Sequence, residues 1–199
     1  CLVIDDGSDL QYRLLSPLSK VEVRRLPTHQ GYGAALKRGV VWSLTDWIVT
    51  MDGDGQHELE DVLRLVQFVE RFPEVDMVIG DRRVREASLS RFLGRKVLNW
   101  VASCFASRWI ADLNSGLRIF RRSVALGYLP ILSDGFSFTT TLTLSMLADG
   151  YKVDFLPVRV RPRAEGDSKV HKWRDGVRTL WAIVRIGTAL RTRWLRSCL

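Results

Sequence analysis

The chain has 199 residues, 46% hydrophobic and 26% charged, enough to bury a core and inconsistent with a disordered tail or a collagen-like fibre. Thirty bases against 22 acids give a formal net charge of +8, and 24 of the bases are Arg. An arginine excess suits anionic partners, because the guanidinium fork binds phosphate oxygens in pairs. The three cysteines, Cys1, Cys104 and Cys198, lack zinc-ligand spacing and an even disulfide count, so a reducing compartment is expected. No apolar run reaches the roughly 18 residues that a spanning helix needs.

The chain opens on Cys-Leu-Val-Ile, which reads as the middle of a buried strand and leads us to expect a preceding structural unit. Strands are predicted at 2–4, 21–26, 47–51, 76–79, 117–120 and 152–158, with helices at 34–44, 59–71, 89–107 and 138–148. In the second helix Val62, Leu63, Val66 and Val69 recur at a helical period. Strands alternating with helices imply crossover connections and a mostly parallel sheet in an α/β architecture. In such sheets ligands bind beyond the carboxyl ends of the strands.

Residues 171–199 differ from the rest, with seven Lys/Arg and one acid, Asp175. Leu180, Ile183, Val184, Gly187, Leu190 and Trp194 share one helical face, with Arg174, Arg178 and Arg185 roughly opposite. Two readings stand: an interfacial membrane helix carrying Trp173, Trp181 and Trp194, or a terminal helix packed on the domain.

Two acidic clusters follow predicted strands: Asp5-Asp6-Gly7-Ser8 and Asp52-Gly53-Asp54-Gly55-Gln56-His57. Each alone reads as a turn, since Asp-Gly is a strong loop signal. Two at the same sheet edge gather like charges that a bound cation would relieve. Asp52, Asp54 and Gln56 offer hard oxygen donors suited to Mg²⁺ or Mn²⁺; zinc is disfavoured, with His57 the lone nitrogen ligand nearby. Gly31-Tyr32-Gly33-Ala34-Ala35-Leu36 has Leu where a dinucleotide fingerprint needs a small residue, and no Walker A sequence occurs. The plainer reading is a helix N-terminus at which Gly33 permits close backbone approach to the sheet or a ligand.

In order along residues 3 to 169, the chain carries Val3-Ile4-Asp5-Asp6-Gly7-Ser8, Gly31-Tyr32-Gly33-Ala34-Ala35-Leu36-Lys37-Arg38-Gly39 and Met51-Asp52-Gly53-Asp54-Gly55-Gln56-His57. Gly80-Asp81-Arg82, Asp112-Leu113-Asn114-Ser115-Gly116-Leu117-Arg118, Gly135-Phe136-Ser137-Phe138 and Arg163-Ala164-Glu165-Gly166-Asp167-Ser168-Lys169 complete the set. This ordered set resembles a family 2 glycosyltransferase of the GT-A type, close to the dolichyl- and polyprenyl-phosphate sugar synthases. The resemblance implies a Rossmann-like GT-A catalytic domain over 1–170 lacking its first strand, and a membrane-surface helix over 171–199 at the cytoplasmic face of a membrane.

By the same resemblance, Asp5 and Asp6 hold the base and ribose of a nucleotide, with Gly33 and Asp52 completing that pocket. Asp52, Asp54 and Gln56 carry Mg²⁺ or Mn²⁺ on the donor diphosphate. Arg82, Arg91, Arg118, Arg163, Ser168 and Lys169 are expected around donor and acceptor phosphates, with Ser115 beside them. Asp112 belongs to the sugar site and, with Asp54, is the expected catalytic carboxylate. The chain departs from the family at His29-Gln30 in place of Asn-Arg, at Asp81 in place of Ser, at Glu58-Leu59 without its proline, and in having no Pro-x-x-Asn-Glu loop.

The reaction implied is metal-dependent inverting transfer of a sugar from a nucleotide diphosphate, GDP-mannose or UDP-glucose, to a polyprenyl phosphate. The alternatives are transfer to a hydroxyl of a glycan or lipid, and a non-catalytic homologue that binds nucleotide-sugar or membrane. The Gln-x-x-Arg-Trp motif of processive synthases is absent. A nucleic-acid partner is not expected, because most of the excess charge sits in one terminal helix and no reading motif occurs.

Overall fold

In this computed structural model the described residues are 1–8, 20–82, 89–106, 109–161, 179–181 and 184. The first sheet pairs β1 (Leu2–Asp5) with β2 (Glu22–Arg25) in parallel, Leu2 opposite Glu22. The second contains β3 (Trp47–Thr50), β4 (Met77–Arg82), β5 (Arg118–Arg121) and β6 (Val153–Val158), in the order β3-β5-β4-β6. Strand β5 runs antiparallel to both β3 and β4, whereas β4 and β6 are parallel.

The α/β architecture expected from the alternating pattern holds, but the sheet is mixed rather than mostly parallel. The cause lies in residues 83–117. A parallel crossover must carry the chain back to the amino edge of the sheet. Here β5 enters at the carboxyl edge, its first residue Arg118 registered opposite both Thr50 and Ile79. The segments after β3, after β4 and before β5 therefore converge on one edge. Hydrophobic alternation cannot report that direction of entry.

Helices α1 (Tyr32–Trp42), α2 (Leu59–Arg71), α3 (Leu89–Ala106) and α5 (Phe138–Ala148) fall where predicted. The short α4 (Arg122–Tyr128) follows β5 directly and was not anticipated. On α2 the inward stripe centres on Leu65 and Val69, while Leu63, expected inside, is 54% exposed. Helix α5 is buried from Phe138 through Met146, so amphipathic periodicity is absent from it.

Side chains alternate across the central strands and feed two cores. Met77, Ile79 and Phe120 pack with Val40, Leu142 and Met146 on one face. Val78, Ile119 and Leu117 pack with Leu65 and Val69 on the other. Burying each such side chain contributes about 1.5–3 kcal/mol. A third cluster, Ala102, Ile110, Leu113 and Leu144, fastens α3 and the 109–117 loop to α5.

Candidate active site

The acidic loop after β3 is built from both sides of the sheet edge. The Tyr32 hydroxyl, at the start of α1, donates to Asp52 Oδ1 at 3.0 Å. Below it the carboxylate lies on the backbone of Gly116, where a Cβ would stand 2.5 Å from Asp52 Oδ1. Burial first, and then the Asp52 charge, push the Tyr32 phenol well above its ordinary pKa, so it remains a donor throughout the physiological range.

Further along, Asp54 Oδ1 accepts the Gln56 backbone N–H at 3.2 Å. The loop is then zipped to the segment following β6. The Arg161 N–H donates to Gln56 O at 2.9 Å, His57 bridges Val160 in antiparallel fashion, and Arg161 Nε donates to Glu58 at 2.8 Å. The buried Asp61 carboxylate on α2 accepts the Arg159 N–H at 2.9 Å and pairs with Arg64, which fixes the register of that zipper.

Two carboxylates and one amide fit a hard divalent cation. Gln56 Nε2 donates to Arg161 O at 3.2 Å, which turns the amide so that Oε1 is the end a cation would use. No cluster of three His, Cys, Asp or Glu suited to a metal occurs among the described residues. His57 Nδ1 is buried without a hydrogen-bond partner. Burial holds this imidazole below its ordinary pKa against the opposing pull of Asp52, so it stays neutral near pH 7 and adds no competing charge.

The third element of the edge is the loop before β5. Asp112 is fully buried and accepts Arg82 Nε at 2.8 Å and Arg82 Nη2 at 3.1 Å. The backbone N–H groups of Arg82 and Asn114 add two longer bonds, at 3.3 and 3.2 Å. Asn99 on α3 holds the same loop at both ends, donating to Ala111 O at 2.7 Å and accepting from Leu113 N at 3.2 Å.

Several expected ligands are placed elsewhere. Arg118 is not among phosphate-facing side chains: it is fully buried, and its guanidinium donates to the carbonyls of Ser115, Leu113 and Thr139 and to Thr143 Oγ1. Burial lowers its pKa to about 10, which leaves it a charged floor beneath Tyr32, Asp112 and Asp52 at neutral pH. Ser115 is likewise fully buried, its hydroxyl turned to Leu117 O at 3.4 Å rather than toward phosphates. Arg82 lies at the edge, 26% exposed, but its fork is directed at Asp112.

The first acidic cluster is also committed internally. Asp6 accepts the backbone N–H groups of Gln30 and Gly31, each at 2.8 Å, and so secures the entry to α1. Ser8, through hydroxyl and amide, holds Asp5 below the usual carboxylate range, and Arg25 stands 3.5 Å away. Gly33 provides the close approach expected of it, but toward protein: a Cβ there would lie 2.8 Å from Gly135 O. Arg91 falls on α3 with its side chain outside the described set, and Arg163, Ser168 and Lys169 lie outside the described residues altogether. So does most of 171–199, where Thr179 is buried and Leu180, Trp181 and Val184 are exposed.

Sequence reasoning missed Tyr32, Asp61 and Gly116. Tyr32 was visible only as the aromatic between two glycines, a spacing read for its backbone. Asp61 gives no signal short of tertiary structure, and Gly116 stands out only as one residue of the 112–118 motif.

The fold is of the GT-A type. The chain belongs to glycosyl transferase family 2, whose family model matches residues 1–126. It is 29% identical over 211 residues to the undecaprenyl-phosphate mannosyltransferase of Micrococcus luteus, covering 98% of this chain and 85% of that one. It is 30% identical over 186 residues to the polyprenol monophosphomannose synthase of Mycolicibacterium smegmatis, covering 85% and 69% of the two chains. Among solved structures, glucosyl-3-phosphoglycerate synthase of Mycobacterium tuberculosis with Mn²⁺, UDP-glucose and phosphoglyceric acid superposes with a TM-score of 0.69 at 17% identity, covering 94% of this chain and 68% of that one.

Proposed function

We propose that this enzyme transfers a sugar from a nucleotide diphosphate to a polyprenyl phosphate at a membrane surface, with inversion at the anomeric carbon. The observation that carries the choice of acceptor is the pairing of Asp112 with Arg82. A sugar hydroxyl needs a carboxylate to remove its proton. Asp112 is turned to four N–H donors, so its oxygens are engaged by the protein rather than directed at an acceptor hydroxyl. A phosphate monoester has a second pKa near ~6, by analogy with phosphorylated side chains, and is already a dianionic nucleophile at pH 7. The names of the two polyprenyl-phosphate relatives support the same acceptor.

Asp52, Asp54 and Gln56 are the residues that would hold Mg²⁺ or Mn²⁺; bound there, the ion supplies positive charge for the diphosphate leaving group. The protein's own contribution is orientation. Arg82 and Asp112 brace β4 against the 109–117 loop, so the sugar meets a rigid wall. The Arg118 charge beneath Asp52 and Asp112 offsets their mutual repulsion. Arg163, Ser168 and Lys169, which follow the 159–161 segment in sequence, are the residues proposed to receive donor and acceptor phosphates. Asp5 and Asp6 shape the nucleotide pocket through the loops they secure.

We assign the catalytic domain to 1–170 and a basic amphipathic segment at the cytoplasmic face of the membrane to 171–199, the helical face read from its sequence carrying Leu180, Ile183, Val184, Gly187, Leu190 and Trp194. Among the described residues no helix is long and apolar enough to cross a membrane. The donor is GDP-mannose or UDP-glucose, and the mannosyl names of the two relatives favour the former. A panel of nucleotide-sugars with Mn²⁺ and polyprenyl phosphate in vesicles tests the reading by label recovered in the lipid phase. Nucleotide-sugar turnover with no label in lipid contradicts it.

A further inference from the structure

The Asp52 carboxylate is fixed by groups to which the reaction above gives no part. Tyr32 donates to Oδ1 at 3.0 Å, and Gly116 receives the carboxylate on a surface that only a glycine leaves open. Thr50 Oγ1 donates to Gly116 O at 3.0 Å and keeps that surface in place. Tyr32 is itself restrained. Its ring stacks on Phe136 with centroids 5.5 Å apart and planes 19° from parallel. Its backbone opens α1, immediately after the Gln30 and Gly31 amides held by Asp6. A line of contacts thus runs from the first acidic cluster, through the entry to α1, to the second.

We propose that Tyr32 is a positioning residue for the cation site, its hydroxyl setting the rotation of the Asp52 carboxylate before a divalent ion arrives. The inference rests on the assignment of Asp52, Asp54 and Gln56 to Mg²⁺ or Mn²⁺ and extends it to a residue that acts through Asp52. An aspartate carboxyl group rotates freely about its last bond unless something holds one oxygen. A phenol is suited to that task because it donates a single hydrogen bond and carries no charge to compete with the ion. Partners that orient a ligating carboxylate in this way are commonly worth 10–100-fold in metal affinity.

The test uses the full chain and Tyr32→Phe, which removes the hydroxyl and keeps the ring on Phe136. Mn²⁺ is titrated in the presence of GDP and, separately, UDP, with free Mn²⁺ followed by electron paramagnetic resonance. The expected result is a Kd for Mn²⁺ raised about 10–100-fold, an unchanged melting temperature in chelator, and transfer activity restored at high Mn²⁺. Phe136→Leu, which removes the stack and keeps the phenol, is expected to raise the Mn²⁺ Kd by less than Tyr32→Phe does, and a larger rise than in Tyr32→Phe overturns the inference. A change of less than fivefold in Tyr32→Phe overturns the inference while leaving the metal assignment standing. Absence of Mn²⁺ binding by the unaltered chain overturns both. Should Tyr32→Phe fail to fold, Gly116→Ala disturbs the same carboxylate from below, and an unaltered Mn²⁺ Kd there also overturns the inference.

Discussion

Arg82 closes on Asp112 as a two-bond fork, Nε 2.8 Å from Oδ2 and Nη2 3.1 Å from Oδ1, with the carboxylate fully buried and the guanidinium 26% exposed. The pair ties the last residue of β4 to the loop that precedes β5. It braces that loop against the strand and engages both carboxylate oxygens within the protein. Removing one partner of a buried ion pair is costly because the other charge is left uncompensated.

Asp112→Asn keeps the shape and discards the charge. Because Arg82 retains partial access to water, we expect a loss of about 2–3 kcal/mol, below the full cost of breaking a buried pair. Urea denaturation measures it. The same variant should lose most of its transfer rate, since the wall loosens.

Arg118 separates a structural from a ligand role. Arg118→Leu should lower stability by about 3–5 kcal/mol, because the carbonyls of Ser115, Leu113 and Thr139 lose their donor. At a temperature where the variant remains folded, its KM for the nucleotide-sugar should stay within a few-fold of the original. Intact stability with a raised KM would instead make Arg118 a phosphate ligand.

Asp54→Ala should abolish transfer and its dependence on Mn²⁺. The cost to folding should be about 1 kcal/mol or less, the usual value of one hydrogen bond near the surface. Circular dichroism melting in chelator, beside the activity assay, checks both halves. Full activity in this variant would remove the metal mechanism.

Deletion of 171–199 should reduce co-sedimentation with liposomes containing anionic lipid. The segment carries seven bases and one acid. Each base near anionic lipid contributes about 1 kcal/mol, so the binding should also weaken with added salt. Equal pelleting of the two chains, at low and high salt, would refute the anchor.

Much of this molecule could be read before its structure. The strand starts, the bounds of α2 and α5 and the loop positions of both acidic clusters follow from periodicity and turn chemistry, which are local. Strand direction does not: β5 is antiparallel because the 83–117 segment ends at the carboxyl edge, and nothing in Leu117 or Arg118 announces it. The destination of a charged side chain is equally hidden. Arg118 and Arg82 look alike in sequence, yet one is sealed under the sheet edge and the other lies at its rim. The role of Tyr32 is hidden for the same reason, since a hydrogen bond between residues 20 positions apart depends on the tertiary fold.

The central claim is that the acceptor is a phosphate on a polyprenyl chain. Its most direct measurement compares initial rates of sugar transfer to polyprenyl phosphate and to the matching polyprenol, in the same vesicles with Mn²⁺ and the preferred nucleotide-sugar. The account predicts product with the phosphate and none above background with the alcohol. Comparable rates on the two acceptors, or product from the alcohol alone, would contradict it.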